Sequence, residues 1–558
     1  MEHDKTEIFH FTRAWHPPNP PINLTSIGDP IINPKPIWRY LGFFFNRKLN
    51  FHYHTHFYAT KYLSTLSAMK MLGNSSRSIL PMQKRLLYRT CILPIALYGF
   101  NLWFFKGAPI IRNINELKKM QKKAALWITG AFQTSPSNGI EAIAGLIPIT
   151  LHMRKLNGKH YLRYGSIPSM HAINSLLDSQ HAKNHPPHKT AASKLTDKQW
   201  SNLKSPIKDI NERLNGVREC FNPLFPLFSP GSRVVDHFSS RFSFHSPFSS
   251  SDEDLYYHIQ NLNQAFRSSQ TAPHNIAIIA DGGIKKSQVA TAVAHIWSEN
   301  SLIQRLQANS INITSIEAEL MAICLGLIPA MEEENVHNII VITNSITAAK
   351  KFFESKTDPL QNMFILVTSA IDSFFQKDGR NKIQFWFCPS KAKWPKHKLV
   401  DDQVKADKCA PIFPSKELHL FNKKKECDNI LSEWQDSFMS NPKREQLFLN
   451  FEDKNQKVIK PTYAKGGSWL PSIGFTNSLC TRFTRMTTGH APIGEYRQRF
   501  LPHLPISCLC SKAEVQTREH IIMECDTYDP STHPCNIIIN SFVHFLADNP
   551  STFSFDNG

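Results

Sequence analysis

Long apolar runs are missing from this sequence. No uninterrupted stretch of about 18 apolar residues, the length that a membrane-spanning helix needs, occurs in its 558 residues. The amino terminus also lacks the basic-then-apolar pattern of a secretory signal. These absences argue against membrane-spanning helices and against secretion, so we expect a soluble, intracellular chain.

Cysteines in close pairs are scarce as well. The chain has 11 cysteines, an odd number, and only Cys508 and Cys510 lie close together. Domains that depend on disulfides are short, secreted and dense in cysteine. A disulfide framework is therefore excluded, and most of the thiols are expected to be buried or idle.

Acidic residues are outnumbered by basic ones. The 45 Asp and Glu face 64 Lys and Arg, which leaves a net charge of +19 and a pI near 9.4. Such a basic chain favours a polyanionic partner, with nucleic acid ahead of a membrane surface. We expect nucleic acid as the partner, and neither a membrane nor a small-molecule substrate.

The amino-terminal part has a helical period. Apolar residues recur at helical spacing from Ile37 to about Tyr164, which predicts a mainly helical unit. Gly73 and Gly130 are the predicted helix stops. Because the chain is too long for one core, further domains must follow this unit.

The second half of the chain has a different pattern. Residues 181–192 and 221–254 show no sustained period and are predicted to be linkers. From Asn275 to about Ala410, short apolar strands alternate with helices. This alternation is typical of an α/β sheet domain.

Three carboxylates stand at informative positions of this α/β pattern. Asp281 follows an apolar strand, and Asp401 begins the last predicted helix; a turn and the helix dipole alone would explain these two acids. Glu319 falls on the apolar, sheet-facing side of a helix, where a carboxylate is costly unless it is paired or binds a metal. Glu317, by contrast, is explained by a capping box with Thr314.

The order of these residues resembles type 1 ribonuclease H over about residues 274–410. Four short motifs carry the resemblance: Asp281, Ala318-Glu319-Leu320, Thr343-Asn344-Ser345 and Asp401. The resemblance implies a mixed sheet with four carboxylates around two Mg²⁺ ions, which activate a water to cleave the RNA strand of an RNA–DNA hybrid. Asp281, Glu319 and Asp401 match the first, second and fourth carboxylates, with Asp402 as a less favoured substitute.

Asn344 stands where the resemblance implies the third carboxylate. An amide removes a full unit of charge from a site that must neutralise two dications. The histidine-containing loop of the family is also altered, to Cys388-Pro389-Ser390-Lys391. We predict that Asp281, Glu319, Asn344 and Asp401 cluster at one end of the sheet and that cleavage is impaired.

Several blocks of the amino-terminal unit resemble the thumb and connection region of non-LTR, LINE-like, retrotransposon reverse transcriptases. They include Tyr40-Leu41-Gly42, Leu49-Asn50-Phe51, Leu93-Pro94, Ile128-Thr129-Gly130-Ala131-Phe132 and Gly145-Leu146-Ile147-Pro148. The resemblance implies phosphate contacts that position nucleic acid without reading its sequence. These contacts would come from Lys118, Lys119, Lys122 and Lys123, for which a solvated helix face is the alternative.

The palm of such a polymerase holds two Mg²⁺ ions with adjacent aspartates on a hairpin. Nothing before Tyr40 supplies this pair, and the only Asp-Asp pair is Asp401-Asp402. Lys5–Phe11 resembles the segment that follows the palm in the family. We therefore expect the chain to begin just after the catalytic core and to have no polymerase activity.

The carboxy-terminal region carries a CxC pair followed by an HxxxxC pair. Its four soft ligands, which suit tetrahedral Zn²⁺, are Cys508, Cys510, His520 and Cys525. With Gly489-His490-Ala491 before it, the segment resembles the zinc motif near the end of many non-LTR elements, although Ser511 replaces the usual glycine. Three unrelated thiols are the alternative, and His503 and Cys535 are possible substitute ligands with poorer spacing.

These observations predict a multidomain protein: an all-α thumb/connection-like unit, an α/β ribonuclease-H-like mixed sheet and a small zinc-binding, α-rich tail. The predicted regions are 1–36, a remnant after the palm; 37–180, the helical domain; 181–273, a linker; 274–410, the ribonuclease-H-like domain; 411–475, a linker or helical segment; 476–535, the zinc-motif region; and 536–558, a tail.

Three functions compete at this point. The favoured one is a nucleic-acid-binding remnant of a retrotransposon polyprotein with weak or no catalysis, and the second is an active Mg²⁺-dependent hybrid ribonuclease. Asn344 separates these two. The third, a domesticated scaffold that binds protein, predicts an apolar surface patch in place of a basic groove. The family resemblance also implies a nuclear location.

Overall fold

The computed structural model describes most of the chain. The described residues are 7–11, 19–23, 31–72, 79–106, 108, 111–165, 209, 240–247, 249, 251–271, 274–285, 289–352, 361–406, 412–413, 419–441 and 448–555. The predicted helix stop at Gly73 and most of the linker predicted at 181–273 lie outside these residues.

The strands are named in chain order. They are β1 Ile22–Asn23, β2 Ile31–Ile32, β3 Ile37–Tyr40, β4 Phe43–Asn46, β5 Phe242–His245, β6 Asn275–Ile284, β7 Val289–Ser298, β8 Ser301–Ile311, β9 Asn338–Thr343, β10 Lys382–Phe387 and β11 Ile412–Phe413.

The α-helices are named in the same way. They are α1 His52–Lys70, α2 Pro81–Leu87, α3 Leu93–Ala96, α4 Ile111–Thr129, α5 Ser137–Ile143, α6 Ile149–Gly165, α7 Asp252–Thr271, α8 Ser315–Glu332, α9 Ile346–Lys351, α10 Gln361–Lys377, α11 Pro395–Lys405, α12 His419–Met439, α13 Leu470–Ile473, α14 Asn477–Thr488, α15 Gly494–Phe500, α16 Arg518–Met523 and α17 Ile539–Asp548.

The chain divides into two compact units. The helical unit comprises Met1–Asn157, Ser201–Asp209 and Cys427–Gly558, and the sheet unit comprises Gly158–Trp200 and Ile210–Glu426. The protein is therefore multidomain and mixed in helix and sheet, as predicted. The residues from 427 onward, however, share one core with the amino-terminal helices instead of forming a separate tail.

Buried polar contacts join the two halves of the helical unit. The buried Lys84 ammonium donates to the Asn477 side chain at 2.8 Å, and the Arg85 guanidinium donates to the carbonyl oxygen of Tyr463, also at 2.8 Å. Gly130 ends α4 as predicted, with φ +68°. A Cβ at this position would lie only 2.1 Å from the Thr481 hydroxyl, so the close approach of α14 also requires glycine.

The prediction of helices from Ile37 onward is wrong for the first residues. Strands β3 and β4 form an antiparallel hairpin there. Its turn residues Leu41 and Gly42 both have positive φ, 47° and 83°, as in the tight turns that match the twist of paired strands. The hydroxyls of Tyr98 and Tyr58 donate to the carbonyls of Leu41 and Gly42, which fixes the hairpin against the helices.

The sheet unit is built on one 7-stranded sheet in the order β11-β8-β7-β6-β9-β10-β5. The predicted antiparallel meander is confirmed as β6, β7 and β8, and β9 runs parallel to β6. Strand β6 is buried on both faces: Ile278 and Ala280 pack on one side, Ala277 and Ile279 on the other. A mixed sheet in this order is compatible with a ribonuclease-H-like fold.

The linker predicted at 181–273 is wrong at its carboxy-terminal end. Strand β5 adds to the edge of the sheet in parallel with β10, and α7 covers one face of it with Leu262 and Phe266. Phe242 and Phe244, which lie in a segment without a helical or alternating period, thus serve as edge-strand residues that pack in or against the core. The region predicted at 411–475 contains α12, whose Trp434 and Phe438 belong to the core of the helical unit.

Candidate functional site

Strand β6 and the first turns of α8 bring two carboxylates together. The prediction that Asp281 follows the strand is wrong, because β6 continues to Ile284. Thr314 and Glu317 form the predicted capping box, which fixes where α8 begins. A Cβ on Gly282 would lie 2.3 Å from the backbone of Ala318, so only glycine lets α8 approach the strand this closely. At this distance the Gly282 amide donates to the Glu319 carboxylate at 3.1 Å, beside Asp281.

The end of β9 adds Asn344. The parallel register pairs Ala280 with Thr343, so that Asp281, still on β6, and Asn344, directly after β9, lie at the same level of the sheet. The Asn344 side-chain amide donates to an Asp281 carboxylate oxygen at 3.1 Å. The other end of this amide, Oδ1, is buried and has no hydrogen-bond partner among the described residues.

Asp401 faces the same group from α11. This helix begins at Pro395, so the prediction that Asp401 starts the helix is wrong, and Asp401 lies in its second turn. Its charge helps to raise the pKa of Asp281, although its side chain forms an ion pair with Lys405 one turn later. Asp402, the substitute considered from the sequence, is exposed.

His397 is a site residue that the sequence argument missed. It lies one helical turn before Asp401, is 7% exposed, and its Nε2 is buried without a hydrogen-bond partner among the described residues. Burial lowers the pKa of His397, and the charges of Asp281 and Asp401 oppose this effect. A proline just inside the start of a helix marks its first turn, and this signal at Pro395 would have placed His397 and Asp401 on one face.

Burial dominates the electrostatics of the carboxylates. Desolvation, followed by the charge of Asp281, raises the pKa of Glu319 to about 8. Desolvation also raises the pKa of Asp281, against the opposing effects of His397 and of the Asn344 amide. Two neighbouring carboxylates that resist ionisation are stabilised in their charged form by a cation.

The raised pKa of Glu319 predicts that the site loses stability as the pH rises. Without a cation, the folded chain holds this proton from the ordinary value of 4.5 up to about 8, whereas the unfolded chain releases it near 4.5. The folded state thus binds more protons within this window, so the free energy of unfolding falls as the pH increases through it. We expect the free energy of opening of β6, from hydrogen exchange corrected for intrinsic rates, to fall between about pH 5 and about pH 8.

Two controls accompany this measurement. Glu319→Gln should flatten the pH dependence of β6, whereas Glu332→Gln, an exposed change at the end of the same helix, should leave it intact. Millimolar Mg²⁺ should also flatten the pH dependence in the native chain. An identical slope in the native and Glu319→Gln chains would contradict the assignment.

The donor set fits a divalent cation better than a pair of them. Asp281, Glu319 and Asp401 are hard oxygen donors, and the buried Oδ1 of Asn344 is a further oxygen without a partner among the described residues. Three carboxylates leave two dications with excess positive charge, and Lys405 adds more positive charge beside Asp401. These residues could hold one divalent cation, whereas a second one would lack a carboxylate ligand.

The carboxy-terminal Cys/His cluster forms as predicted. The ligand atoms of its four residues all lie within 4.8 Å of one another: Cys508, Cys510, His520 and Cys525. The Cys508 and Cys525 sulfurs are 3.5 Å apart, and the Cys510 sulfur is 3.1 Å from His520 Nε2. Such a cluster of three thiols and one imidazole could bind zinc.

The local backbone explains how this cluster closes. Ser511 adopts φ +61°, the left-handed conformation that the usual glycine would provide. Thr517 caps α16 by accepting from the backbone amide of His520, which fixes the position of the imidazole. A backbone amide at Lys512, together with the imidazole of His520, lowers the pKa of Cys510 to about 6, which favours the thiolate that a metal needs.

The four lysines predicted as phosphate contacts lie on α4 in the helical unit. Lys118, Lys119 and Lys123 are exposed and Lys122 is half-buried, while Leu117, Met120 and Ala124 on the other side of the helix belong to the core. Lys119 and Lys123 line an open cleft of about 760 Å³ between α1 and α4, together with Arg112 and His56. Lys118 and Lys122 do not line this cleft, and Glu116 does, so the solvated face stays an alternative to phosphate contacts.

No helix among the described residues has the length and apolar character required to cross a membrane. No protein-family model matches the sequence, and no curated protein matches it.

Several solved structures resemble part of the chain. The amino-terminal ribonuclease H domain of a Mycobacterium tuberculosis protein, solved as a fusion with maltose-binding protein, is 15% identical, with a TM-score of 0.19 over 23% of this chain and 93% of that one. A ribonuclease H1 isolated from compost, solved with an RNA/DNA hybrid, is 20% identical, with a TM-score of 0.19 over 24% and 97%. The protease-reverse transcriptase of prototype foamy virus is 14% identical, with a TM-score of 0.20 over 25% and 21%.

Proposed function

We propose that this chain is a nucleic-acid-binding protein related to the carboxy-terminal part of a non-LTR retrotransposon polyprotein, with a ribonuclease-H-like site that is impaired in catalysis. The proposal includes zinc at the Cys/His cluster, no polymerase activity, and a nuclear location. One observation carries it. Asp281 on β6 and Asn344 directly after the parallel strand β9 meet Glu319 from α8, in the chain order that the family resemblance implies, and the third position is an amide.

The residues of the site support binding of one Mg²⁺ and little turnover. Magnesium, when bound, supplies a polarised water and neutralises the charge that develops on the phosphate. Asp281 and Glu319 would hold it, and the Gly282 amide orients Glu319. The Asn344 amide orients Asp281 but adds no charge, and Lys405 competes with a cation for Asp401.

A working hybrid ribonuclease is the second candidate. His397 favours it, because a buried imidazole with a free nitrogen beside two carboxylates is costly unless the site uses it. The two candidates make the same prediction for binding and differ only in cleavage rate.

The binding half of the proposal is tested on the full chain with a labelled RNA–DNA hybrid. We expect Lys119→Gln combined with Lys123→Gln to weaken binding, because both lysines line the α4 cleft. The slope of log affinity against log salt should become shallower by roughly 2, at about 0.9 for each phosphate that a lysine no longer neutralises. Fluorescence anisotropy over a salt series measures both quantities.

The matched control replaces two exposed lysines elsewhere in the helical unit, Lys454→Gln with Lys457→Gln. An equal weakening in both double variants would show that net charge alone drives binding and would reject the α4 contacts. Absence of hybrid binding by the native chain would reject the proposed function itself.

A further inference from the structure

A continuous row of aromatic rings crosses the carboxy-terminal part of the helical unit. The row consists of Phe555, Phe132, Tyr496 and Phe500, whose successive ring centroids lie 5.3, 5.1 and 4.6 Å apart. Its ends are open to solvent: Phe555 is 63% exposed and Phe500 45% exposed. Each end therefore presents a ring to solvent.

The inner members of the row are held in place by hydrogen bonds. The Tyr496 hydroxyl lies 2.9 Å from the Thr134 hydroxyl, which in turn lies 3.1 Å from Nδ1 of the buried His490. The His490 ring is 5.8 Å from the rings of both Tyr496 and Phe500. These contacts fix the orientation of Tyr496, which is itself only 8% exposed, so the most exposed rings of the row are those at its ends, Phe500 and Phe555.

Positive charge lies along the row. The Arg485 guanidinium is 4.9 Å from the Phe132 ring and 4.5 Å from the Phe555 ring, within cation–π distance of both, but Arg485 is only 6% exposed, so it supports the rings and does not reach a ligand. Lys122 and Arg499 lie close enough to His490 to depress its pKa, although burial is the larger cause. Glu495, which pairs with Arg499, offsets part of this charge.

We propose that Phe500 and Phe555, the exposed ends of this row, are stacking surfaces for the bases of single-stranded nucleic acid, with Lys122 and Arg499 as contacts to its phosphates. This inference rests on the nucleic-acid binding proposed above and assigns a strand type and a location to it. A ring face accepts any base, but only a base that is free of a duplex can stack on it. The exposed rings therefore favour a single strand over a duplex. The cations beside them favour an anionic polymer over an apolar protein surface.

The test compares single strands with a hybrid on the full chain. Labelled oligo-dT, oligo-U and an RNA–DNA hybrid are titrated against the native protein and against Phe500→Ala with Phe555→Ala. We expect the double variant to bind both single strands more weakly by roughly tenfold or more, as expected when bases can no longer stack, and to bind the hybrid as the native chain does. Phe500→Trp should retain the native affinity, because it keeps a ring face.

Phe475→Ala is the matched control, since Phe475 is 66% exposed in the same unit but outside the row. If the native chain binds the hybrid while the double variant keeps the native affinity for both single strands, this inference is overturned and the proposed function stands. Sedimentation measures self-association of the same proteins. If the double variant loses self-association but keeps its affinity for the oligonucleotides, the row belongs to a protein interface and the inference is also overturned. A native chain that binds no nucleic acid would overturn both.

Discussion

Asn344→Asp should raise Mg²⁺-dependent cleavage of an RNA–DNA hybrid by at least about 10- to 100-fold, the range seen when the surroundings of a metal ligand are altered. The physical reason is charge. Asp281 and Glu319 are held in a buried site where a second dication lacks its fourth carboxylate, and the aspartate would supply it at the end of β9. Cleavage of labelled hybrid under single-turnover conditions measures the gain, while hybrid affinity should change little.

Asn338→Asp is the control for this substitution. Asn338 begins β9, at the end opposite to Asn344. Asn338→Asp therefore makes the same chemical change away from the site and should leave cleavage at the native rate. Cleavage by the native chain as fast as by Asn344→Asp would make the active-nuclease candidate correct. If neither cleaves, Asn344 is not the only lesion.

A second lesion has a structural candidate. Lys405 forms an ion pair with Asp401 and adds positive charge where a cation would bind. Lys405→Met in the Asn344→Asp background should then produce the cleavage that Asn344→Asp alone does not. If the double variant is also inactive, the altered loop at Ser390 and Lys391 becomes the remaining explanation.

Removal of two zinc ligands should have the largest effect on stability. Cys510→Ala with His520→Ala should abolish the zinc binding proposed for this cluster and destabilise the helical unit, because Cys508 and Cys525 belong to its core. Structural zinc contributes about 10 kcal/mol or more in small zinc-binding folds, so a loss of even part of it is large against ordinary domain stability. Metal content by mass spectrometry and thermal unfolding with and without a chelator measure the two effects.

The control variants are Cys91→Ala and Cys535→Ala, both at exposed free thiols outside the cluster. They should keep full zinc content and the native unfolding temperature. Stoichiometric zinc in the Cys510→Ala, His520→Ala chain would contradict the assigned ligands.

The sequence determined the features that depend on local periodicity. The alternation of apolar residues located the β6–β7–β8 meander, and the capping box at Thr314 located the start of α8. Once the start of α8 was located, the helical spacing placed Glu319 toward the sheet, where it is 9% exposed. The spacing of Cys508, Cys510, His520 and Cys525 similarly indicated the cluster, because a short turn and a helical turn close it locally.

Only the tertiary structure determined the features that join distant segments. Three features depend on contacts between segments that are far apart in sequence. They are the addition of β5 to the sheet edge, the core that the amino-terminal helices share with residues from 427 onward, and the row from Phe132 to Phe555. The electrostatic state of the site depends on such contacts too. Burial and then the charge of Asp281 raise the pKa of Glu319. Neither cause comes from a residue next to Glu319 in sequence, because both arise from the packing of separate elements.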